Sequence, residues 1–533
     1  MTPWIEVAAL IALVWATVVI LVQLIGISAV FRFFSRRPRS SVSSGLGKDA
    51  PAITIIRPVK GLEPHLYDCI ASTFRQDYPA DKISIRLCVE NEHDAAYPVL
   101  RKLVDDFPDF DVQILLESRD PALHGPGAYL ELGPNPKVRN ISRAYREAKG
   151  DIIWIIDCNV WASKGVLGRM VDRLEGFVDG RGSATPFKFV HQMPFAVDVA
   201  DFSSAPSTVC QAGSTLKAAD ASQSSPAQHD SLPTRISRNG GGRLDEMFFA
   251  TTHVKFYGAI NSVGVAPCIV GKSNMFRKSH LDMVTDPTRN PIVKKDNHRR
   301  PGVDYFSYNI CEDHLIGDLL WRSNIPGYLN HGMVWGDLAV QPLDGVSVAA
   351  YAARRVRWLR ARKFTVLVAT LVEPGVESLL CCAYLAFALT TLPWFQSHLG
   401  LPHTWSAMAS VWAACVSMWM CVDWFTFRQL HSGQTIELDD KTPPFVRAMP
   451  DISMATRRPF GSWLLAWLGR EILALPIWTC AVLLGATVNW RGKAFRVRLD
   501  ASVVEITDQK PAGKGTQTPE LERALRTSKD RVD

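Results

Sequence analysis

Asp157 is the residue whose position in this sequence points most directly to chemistry. It follows the apolar run 152–156, and Cys158 and Asn159 come directly after it. An acidic residue at the carboxyl end of a buried strand is well positioned to hold a metal-bound pyrophosphate. The sequence therefore predicts a site for a phosphorylated ligand at this strand end.

Two later groups of residues could complete such a site. The pair Glu312-Asp313 can supply a base that accepts a proton. Arg354, Arg357 and Trp358 are three and four residues apart, so they share one face of a helix. Arginine can clamp phosphate with two hydrogen bonds, and an indole can pack against a sugar or an acceptor. These residues predict transfer of a group from a phosphorylated donor.

The elements that must position these residues alternate between strands and helices over residues 50–345. Strands are predicted at 53–56, 83–89, 112–116 and 152–156, with helical stretches between them. Such alternation is typical of an α/β fold with a mostly parallel sheet and crossover helices. Ligands bind beyond the carboxyl ends of such strands, where Glu90, Asp94 and Asp157 are expected to lie.

Apolar segments at both ends of the chain predict a multi-pass membrane protein. Residues 7–31 carry no charge and can cross a bilayer, and four arginines follow by position 39. The positive-inside rule then predicts that the next domain is cytosolic. Three further segments lie at 376–395, 405–427 and 462–488. The last contains Arg470 and Glu471 and has basic residues on both sides, so it is predicted to be re-entrant or flat.

Composition limits the possible partners. The chain of 533 residues has 59 Lys and Arg against 52 Asp and Glu, a net charge of +7. Its basic residues cluster beside apolar segments, which indicates a membrane face and no binding of nucleic acid. The 11 cysteines lack zinc-site spacing and are predicted to be reduced in a cytosol-facing protein. Residues 202–243 are rich in Ser, Ala, Gly and Pro, which predicts a disordered insertion.

The motifs taken together resemble the ceramide glucosyltransferase family. The resemblance covers most of residues 50–500. It is carried by these stretches: Arg57-Pro-Val-Lys-Gly-Leu-Glu-Pro64, Asp77-Tyr-Pro79, Asn135-Pro-Lys-Val138, Ile153-Trp-x-x-Asp157, Val190-His-x-x-Pro194, Cys268-x-Val-Gly-x-Ser-x-Met-x-Arg-Lys278, Glu312-Asp313, Arg354-x-x-Arg-Trp358, Glu373-Pro-x-x-Glu377 and Trp490-Arg-Gly492. The resemblance implies a GT-A-type nucleotide-sugar fold. It also implies transfer of glucose from UDP-glucose to the primary hydroxyl of ceramide, with inversion to a β linkage.

The resemblance also implies roles for single residues. Asp157 matches the family's metal-binding aspartate, and Asn159 could add a carbonyl oxygen to a Mg²⁺ or Mn²⁺ ion. Asp313 matches the proposed base. Asp94 matches an aspartate near the uridine, with Glu90 as a competing candidate for that role.

Two further residues are expected to bind substrate. Lys137 is expected to contact the nucleotide, and His191 is expected to line the acceptor pocket. For His191 the alternative is a structural histidine in the core.

Several alternatives remain open at this stage. Asp313 could instead cap the helix that follows it, and Glu312 could bind metal or be structural. The charges that flank the Arg/Trp helix are predicted to lie at a membrane interface; they are Arg355, Arg360, Arg362 and Lys363. A processive polysaccharide synthase carries a similar Arg/Trp element, but three C-terminal segments are too few for a polymer channel. Another nucleotide-sugar transferase with a lipid acceptor is also possible, whereas the acidic positions argue against an inactive scaffold.

Five regions are predicted along the chain. They are a membrane anchor at 1–34, a cytosolic catalytic domain at 50–345, an amphipathic interfacial region at 346–372, membrane segments at 373–490 and a basic, then polar, tail at 491–533. The resemblance implies a Golgi or ER membrane. The predicted partners are UDP-glucose, ceramide and the lipid bilayer, and the sequence leaves protein partners open.

Overall fold

A computed structural model of the protein describes residues 3–179, 182–200, 232–293, 299–447, 458–490 and 493–506. Its central sheet has seven strands: β1 (Ile53–Pro58), β2 (Ile83–Val89), β3 (Asp111–Leu116), β4 (Ile152–Ile156), β5 (Phe187–Asp198), β6 (Ser273–Arg277) and β7 (Leu329–Leu343). They lie in the order β3-β2-β1-β4-β6-β5-β7. Only β6 is antiparallel to its neighbours within this sheet. The predicted α/β class with a mostly parallel sheet is confirmed.

The helices follow the strands in the alternation that the sequence predicts. The α-helices are α1 (Pro3–Phe33), α2 (Leu66–Ala71), α3 (Tyr97–Asp106), α4 (Pro136–Arg146), α5 (Val166–Glu175), α6 (Leu232–Asn239), α7 (Gly241–Phe248), α8 (Val254–Val263), α9 (Lys278–Thr285), α10 (Glu312–Arg322), α11 (Val348–Arg362), α12 (Leu367–Val372), α13 (Ser378–Thr391), α14 (Pro393–Leu399), α15 (Trp405–Leu430) and α16 (Phe460–Val482). A π-helical turn, Phe249–His253, joins α7 to α8. Short 3-10 turns lie at Ser43–Gly45, Gly47–Asp49, Ala80–Lys82, Glu117–Arg119, Gly302–Phe306 and Glu373–Val376.

The sheet is buried on both faces because its central strands are apolar without alternation. Every residue of β1 is buried. Ile55 packs with residues of α2 and α5, whereas its neighbour Ile56 packs with residues of α4, α9 and α10. Successive side chains of a strand point to opposite faces, so a continuous β-branched run fills both layers. This layering places the carboxyl ends of β1, β2 and β4 at one edge.

Within the described residues, three helices are long and apolar enough to cross a membrane, namely α1, α15 and α16. The pair formed by α12 with its following turn and α13 bends by 70° and would count as a fourth span if it crosses as one. Among these, α1 packs against α8 and α13, and α13 packs against α15. The predicted apolar helices at both ends of the chain are therefore present.

Helix α16 lies along the catalytic domain. It runs unbroken over Phe460–Val482, and the end of the segment predicted to be re-entrant or flat lies in the strand Thr487–Trp490. Just before it, Arg458 donates to Glu246 (2.9 Å), and just after it, the carbonyl of Thr487 accepts from Arg360 (2.8 Å). Arg470 is 1% exposed and lies 2.9 Å from Glu377. The residues just before and just after this helix therefore contact α7 and α11.

One prediction of disordered chain needs correction, and the predicted tail contains strands. Within the predicted insertion 202–243, residues 202–231 lie outside the described residues, but residues 232–243 form α6 and the start of α7. Within the predicted tail, β9 (Lys493–Val497) pairs with β8 (Thr487–Trp490) and β10 (Val503–Glu505) in a small antiparallel sheet. Both segments gain their order from packing against distant parts of the chain. Residues 491–492 and 507–533 lie outside the described part of the tail.

Candidate active site

Asp157 lies directly after β4, and the backbone around it is held from two sides. Its N–H donates to the carbonyl of Lys272 (3.0 Å). The fully buried guanidinium of Arg57 donates to the carbonyls of Asp157 (2.7 Å) and Val160 (2.9 Å). In the sequence Arg57 was only part of a motif. Its role in fixing this loop becomes visible only when β1 and β4 pair.

Lys137 joins the acidic groups that the sequence predicts to perform chemistry. Its ammonium group lies 3.1 Å from Asp157 Oδ1 and 3.1 Å from Glu312 Oε1. The local sequence explains its position, because the Asn135 side chain caps α4 by accepting from the Lys137 N–H (2.9 Å), and Pro136 begins the helix. The structure thus brings Lys137, Asp157 and the Glu312-Asp313 pair together.

Glu312 and Asp313 occupy the first turn of α10. Glu312 is 5% exposed, and its Oε2 accepts from the Asn135 side chain (3.0 Å). Asp313 is half-buried and packs so tightly against Gly271 that a Cβ there would lie 2.1 Å from Asp313 Oδ2. The N-cap position belongs to Cys311, which has a left-handed φ of 69° and makes no side-chain cap. The alternative that Asp313 caps this helix is therefore wrong.

The two aspartates have opposite pKa shifts. Burial, followed by the charge of Glu312, raises the pKa of Asp313 to about 6. Burial also opposes ionisation of Asp157, but the ammonium groups of Lys137 and Lys272 outweigh it and lower the pKa of this carboxyl. Asp157 consequently stays charged at neutral pH, while Asp313 can exchange a proton near neutrality.

Two residues that sequence reasoning missed complete the surroundings of Asp157. Lys272 Nζ lies 3.2 Å from Asp157 Oδ2 and 3.5 Å from Asn159 Oδ1. The Asn159 amide donates to Glu63 Oε2 (3.2 Å), and burial raises the pKa of Glu63. Both Lys272 and Glu63 lie inside stretches that carry the family resemblance, and this position was the available indication that they belong to the site. Nothing in their spacing showed that their side chains converge.

The predicted arginine and tryptophan residues lie on α11. Arg354 Nη1 is 2.8 Å from Oδ2 of Asp245, a fully buried residue of α7. Burial raises the pKa of Asp245, and the positive charges of Arg354 and Lys272 act against this shift. One charge from α11 and one from the residue that contacts Asp157 therefore act on the same carboxyl group. Trp358 packs edge-on against Phe249 at 5.9 Å, and Arg357 is half-buried on the same helix. Asp245 was missed because it follows the predicted insertion directly.

The charges that flank this helix bind protein groups. Arg355 is 8% exposed, lies 3.6 Å from the Phe248 ring centre and pairs with Glu373, as does Arg362. Arg360 donates to the carbonyl of Cys480 (3.1 Å) and Lys363 to that of Val482 (2.5 Å), both in α16. The prediction of a membrane-interface role is wrong for Arg355, which is buried. The contacts observed for Arg360, Arg362 and Lys363 are with protein groups.

Glu90 and Asp94 lie just past the carboxyl end of β2, as predicted. Glu90 Oε2 is 2.5 Å from the ammonium group of Lys60. Asp94 Oδ1 accepts from the N–H of Gly61 (2.9 Å) and of Ala96 (2.9 Å), so this carboxylate ties the loops after β1 and β2 together. Binding of uridine by either residue stays a prediction.

His191 is fully buried in β5. Its Nδ1 lies 2.6 Å from the hydroxyl of Tyr257, and burial lowers the pKa of the imidazole to about 4. The ring is therefore neutral and enclosed, as in the structural alternative. Its predicted role in the acceptor pocket stays a prediction.

The small C-terminal sheet holds the loop that carries the acidic pair. The Val503 N–H donates to the carbonyl of Tyr308 (2.8 Å), and the Asn309 side chain donates to that of Ala501 (3.0 Å). The Asn309 carbonyl in turn accepts from the Asn135 side chain (2.6 Å). One network therefore connects β10 with the start of α4 and with Glu312-Asp313.

The oxygen atoms near Asp157 suit a hard divalent ion. Over the described ranges, no three His, Cys, Asp or Glu side chains converge as a metal site. Asp157 and Asn159 nevertheless direct two oxygens at one cation, the ammonium group of Lys272. Mg²⁺ and Mn²⁺ often take only one or two protein carboxylates and complete their ligands with phosphate and water. These residues therefore fit the predicted ion.

The chain matches the model of glycosyl transferase family 21 over residues 7–221 and 292–503. A ceramide glucosyltransferase of Gibberella zeae is 52% identical over 519 residues, which is 97% of each chain. The chain belongs to glycosyltransferase family 21. A ceramide glucosyltransferase of Pyricularia oryzae is 55% identical to this family 21 glycosyltransferase over 499 residues, 92% of this chain and 94% of the relative.

A solved structure was also matched, a mannosyltransferase from Pyrobaculum calidifontis in complex with GDP-Man and Mn²⁺. It is 13% identical to the family 21 glycosyltransferase, with a TM-score of 0.38, and covers 81% of this chain and 98% of its own. The family assignment rests on the sequence matches. The ranges matched by the family model include Lys137, Asp157, Glu312 and Asp313. Lys272 lies between these two ranges.

Proposed function

We propose that this family 21 glycosyltransferase transfers glucose from UDP-glucose to the primary hydroxyl of ceramide and forms the β-linked product with inversion. The observation that carries the proposal is the position of Lys137 between Asp157 and the Glu312-Asp313 pair. In this arrangement Asp157 would bind the donor and Asp313 would act as the base, and both face one substrate site. The acceptor and the sugar are those named for the Gibberella zeae and Pyricularia oryzae relatives.

Donor binding is assigned to the loop after β4. Asp157 and Asn159 would hold a Mg²⁺ or Mn²⁺ ion, which when bound supplies positive charge to the departing diphosphate. Lys137 adds a fixed ammonium group beside Asp157 and orients the diphosphate. Glu90 and Asp94 lie at the neighbouring strand end, where the uridine is proposed to bind.

The chemical step is assigned to Asp313. Its carboxylate accepts the proton of the ceramide hydroxyl while that oxygen attacks the anomeric carbon and UDP leaves from the opposite face. One displacement of this kind inverts the anomeric centre, so no carboxylate is needed as a nucleophile. A pKa of about 6 suits the task, because the group is ionised at pH 7 but still basic. Arg354, Arg357 and Trp358 complete the site on the side of α11 and contact the leaving diphosphate and the acceptor.

The acceptor is proposed to come from the bilayer. The helices α1, α13 and α15 anchor the catalytic domain at the membrane, and the arginines after α1 favour a cytosolic catalytic domain. A Golgi or ER membrane is the proposed location. His191, whose imidazole contacts the Tyr257 hydroxyl, is proposed to lie on the acceptor side of the site.

Product analysis tests this proposal. The full-length protein in detergent would be incubated with UDP-glucose or UDP-galactose and with ceramide or diacylglycerol, and products identified by mass spectrometry and NMR. We expect β-glucosylceramide from UDP-glucose and ceramide only, and its loss in Asp157→Ala or in EDTA. A different sugar, acceptor or anomer, or full activity of the variant, would contradict the proposal.

A further inference from the structure

Lys272 places its ammonium group between the two residues that are proposed to hold the divalent ion. Its Nζ lies 3.2 Å from Asp157 Oδ2 and 3.5 Å from Asn159 Oδ1. The backbone fixes this arrangement, because the Asp157 N–H donates to the Lys272 carbonyl (3.0 Å) and the Lys272 N–H donates to that of Val270 (2.8 Å). Lys272 therefore stays opposite Asp157 even when its side chain moves.

An ammonium group at this position competes with a metal ion for these oxygens. Mg²⁺ binds its oxygen ligands at about 2.0–2.1 Å, so an ion held by Asp157 Oδ2 and Asn159 Oδ1 would compete directly with the Lys272 ammonium group. The other oxygen, Asp157 Oδ1, contacts Lys137 (3.1 Å). The two lysines together neutralise the carboxylate that is proposed to receive the metal.

The two lysines differ in what holds them. Lys137 also pairs with Glu312 (3.1 Å) and sits in the capped first turn of α4, so it keeps a partner when a metal takes Asp157. Over the described residues, the Lys272 ammonium group bonds only to Asp157 and Asn159. Displacement by a metal ion would therefore release Lys272, whose flexible stem lets it seek a new anion.

We propose that Lys272 is a tethered cation that occupies the metal position in the donor-free enzyme and moves onto the diphosphate when the donor arrives with its metal ion. The inference rests on the proposed use of a nucleotide-diphosphate donor. Exchange of Asp157 for a phosphate oxygen keeps the ammonium group paired, and phosphate is a strong acceptor for it. Lys272 then opposes binding of free metal and favours binding of nucleotide.

Binding measurements on the full-length protein in detergent test this directly. Mn²⁺ affinity without nucleotide, and UDP affinity at saturating Mn²⁺, would be measured by calorimetry for wild type, Lys272→Gln and Lys272→Arg. For Lys272→Gln we expect Mn²⁺ to bind tighter and UDP to bind weaker, each by about tenfold. Lys272→Arg keeps a cation at this point, so we expect Mn²⁺ affinity to stay near that of wild type.

Lys278→Gln is the matched control. Lys278 pairs with Asp282 on α9 (2.5 Å), and we expect its replacement to change neither affinity. Unchanged or weaker Mn²⁺ binding in Lys272→Gln would overturn the proposal, as would unchanged UDP binding. UDP binding that needs Lys272 but no metal would also overturn it, since the lysine would then replace the ion. No acceptor or sugar is present, so this result is independent of the product analysis.

Discussion

Neighbouring carboxylates in the first turn of α10 meet different surroundings. Glu312 is bound by Lys137 and Asn135, which fixes its position beside the donor site. Asp313 belongs to no ion pair within the described part of the chain, and burial beside Glu312 raises its pKa. Two neighbouring carboxyl groups with different surroundings can take different roles. The surroundings of these two residues therefore favour Asp313 as the base.

The first prediction concerns Asp313→Asn. The amide keeps the shape of the side chain but cannot accept a proton, so we expect kcat to fall by about 10²–10⁴ while UDP affinity is unchanged. Turnover and calorimetric binding on one preparation measure this. Asp318→Asn, which removes an exposed pair with Arg322 on the same helix, is the control. Retained turnover in Asp313→Asn would contradict the role of base.

The second prediction concerns pH. A base acts when deprotonated, and a raised pKa means that activity is present above about pH 6 and is lost as the pH falls through that value. Glu312→Gln removes a neighbouring negative charge, which lowers the pKa of Asp313. We expect the acid limb of kcat/KM against pH to move to lower pH. A limb that stays in place would mean that another group controls it.

At the scale of elements, the small sheet β8–β10 supports the catalytic loop. Its core consists of Val488, Phe495, Val497 and Val503, which pack against Ile310 just before the acidic pair. The same cluster includes Ala361 at the end of α11. One small sheet thus contacts the two elements that carry Asp313 and the Arg/Trp group, which gives the C-terminal region a positioning role.

The third prediction tests that role with Phe495→Ala. Phe495 is fully buried, and such a truncation costs about 3–5 kcal/mol of packing energy. A shift of about 1 Å at a reacting group can cost about 10²-fold, so we expect kcat to fall by about that factor while UDP affinity changes much less. Val504→Ala, on a side chain that is 40% exposed in the same sheet, should act like wild type. Equal kcat in both variants would show that the sheet does not position the loop.

At the scale of the whole molecule, the contacts of α16 bear on the membrane topology. The residues that flank it contact α7 and α11, and the sheet that follows it packs against the loop before α10. We therefore expect an even number of membrane crossings between α11 and β8. In this arrangement the bent segment with α13 would provide one crossing and α15 the other, with α16 beside the domain. Its buried Arg470 is paired with Glu377 instead of facing lipid, where charge is costly.

The fourth prediction follows from this topology. A tag placed after Asp533 should lie on the same side of the membrane as the catalytic domain, and a tag before Met1 on the opposite side. Protease protection in sealed microsomes measures both, with an antibody to the catalytic domain as the internal reference. Protection of the C-terminal tag under conditions that digest the catalytic domain would mean that α16 crosses the membrane.

The amino-acid sequence by itself determined the features that depend on neighbouring residues. The apolar runs at 53–56 and 152–156 form strands because β-branched side chains fill both faces of a sheet, and Asp157 follows from where such a run ends. Asn135-Pro136 starts a helix through its own cap, which puts Lys137 in the first turn. The long apolar helices α1 and α15 likewise follow from composition over one segment.

Tertiary structure decided the features that depend on residues far apart in the chain. Lys272 and Asp157 are separated by 115 positions and Arg354 and Asp245 by 109, and no local period encodes such pairs. The helix α6 occurs in a segment whose composition predicts disorder, and β9 and β10 occur in the predicted tail. In both segments, distant packing supplies burial that the local sequence does not specify. The cap position at Cys311 shows the same limit, because only the packing of the loop against β10 and Asn135 decided that Cys311, and not Asp313, takes the cap position.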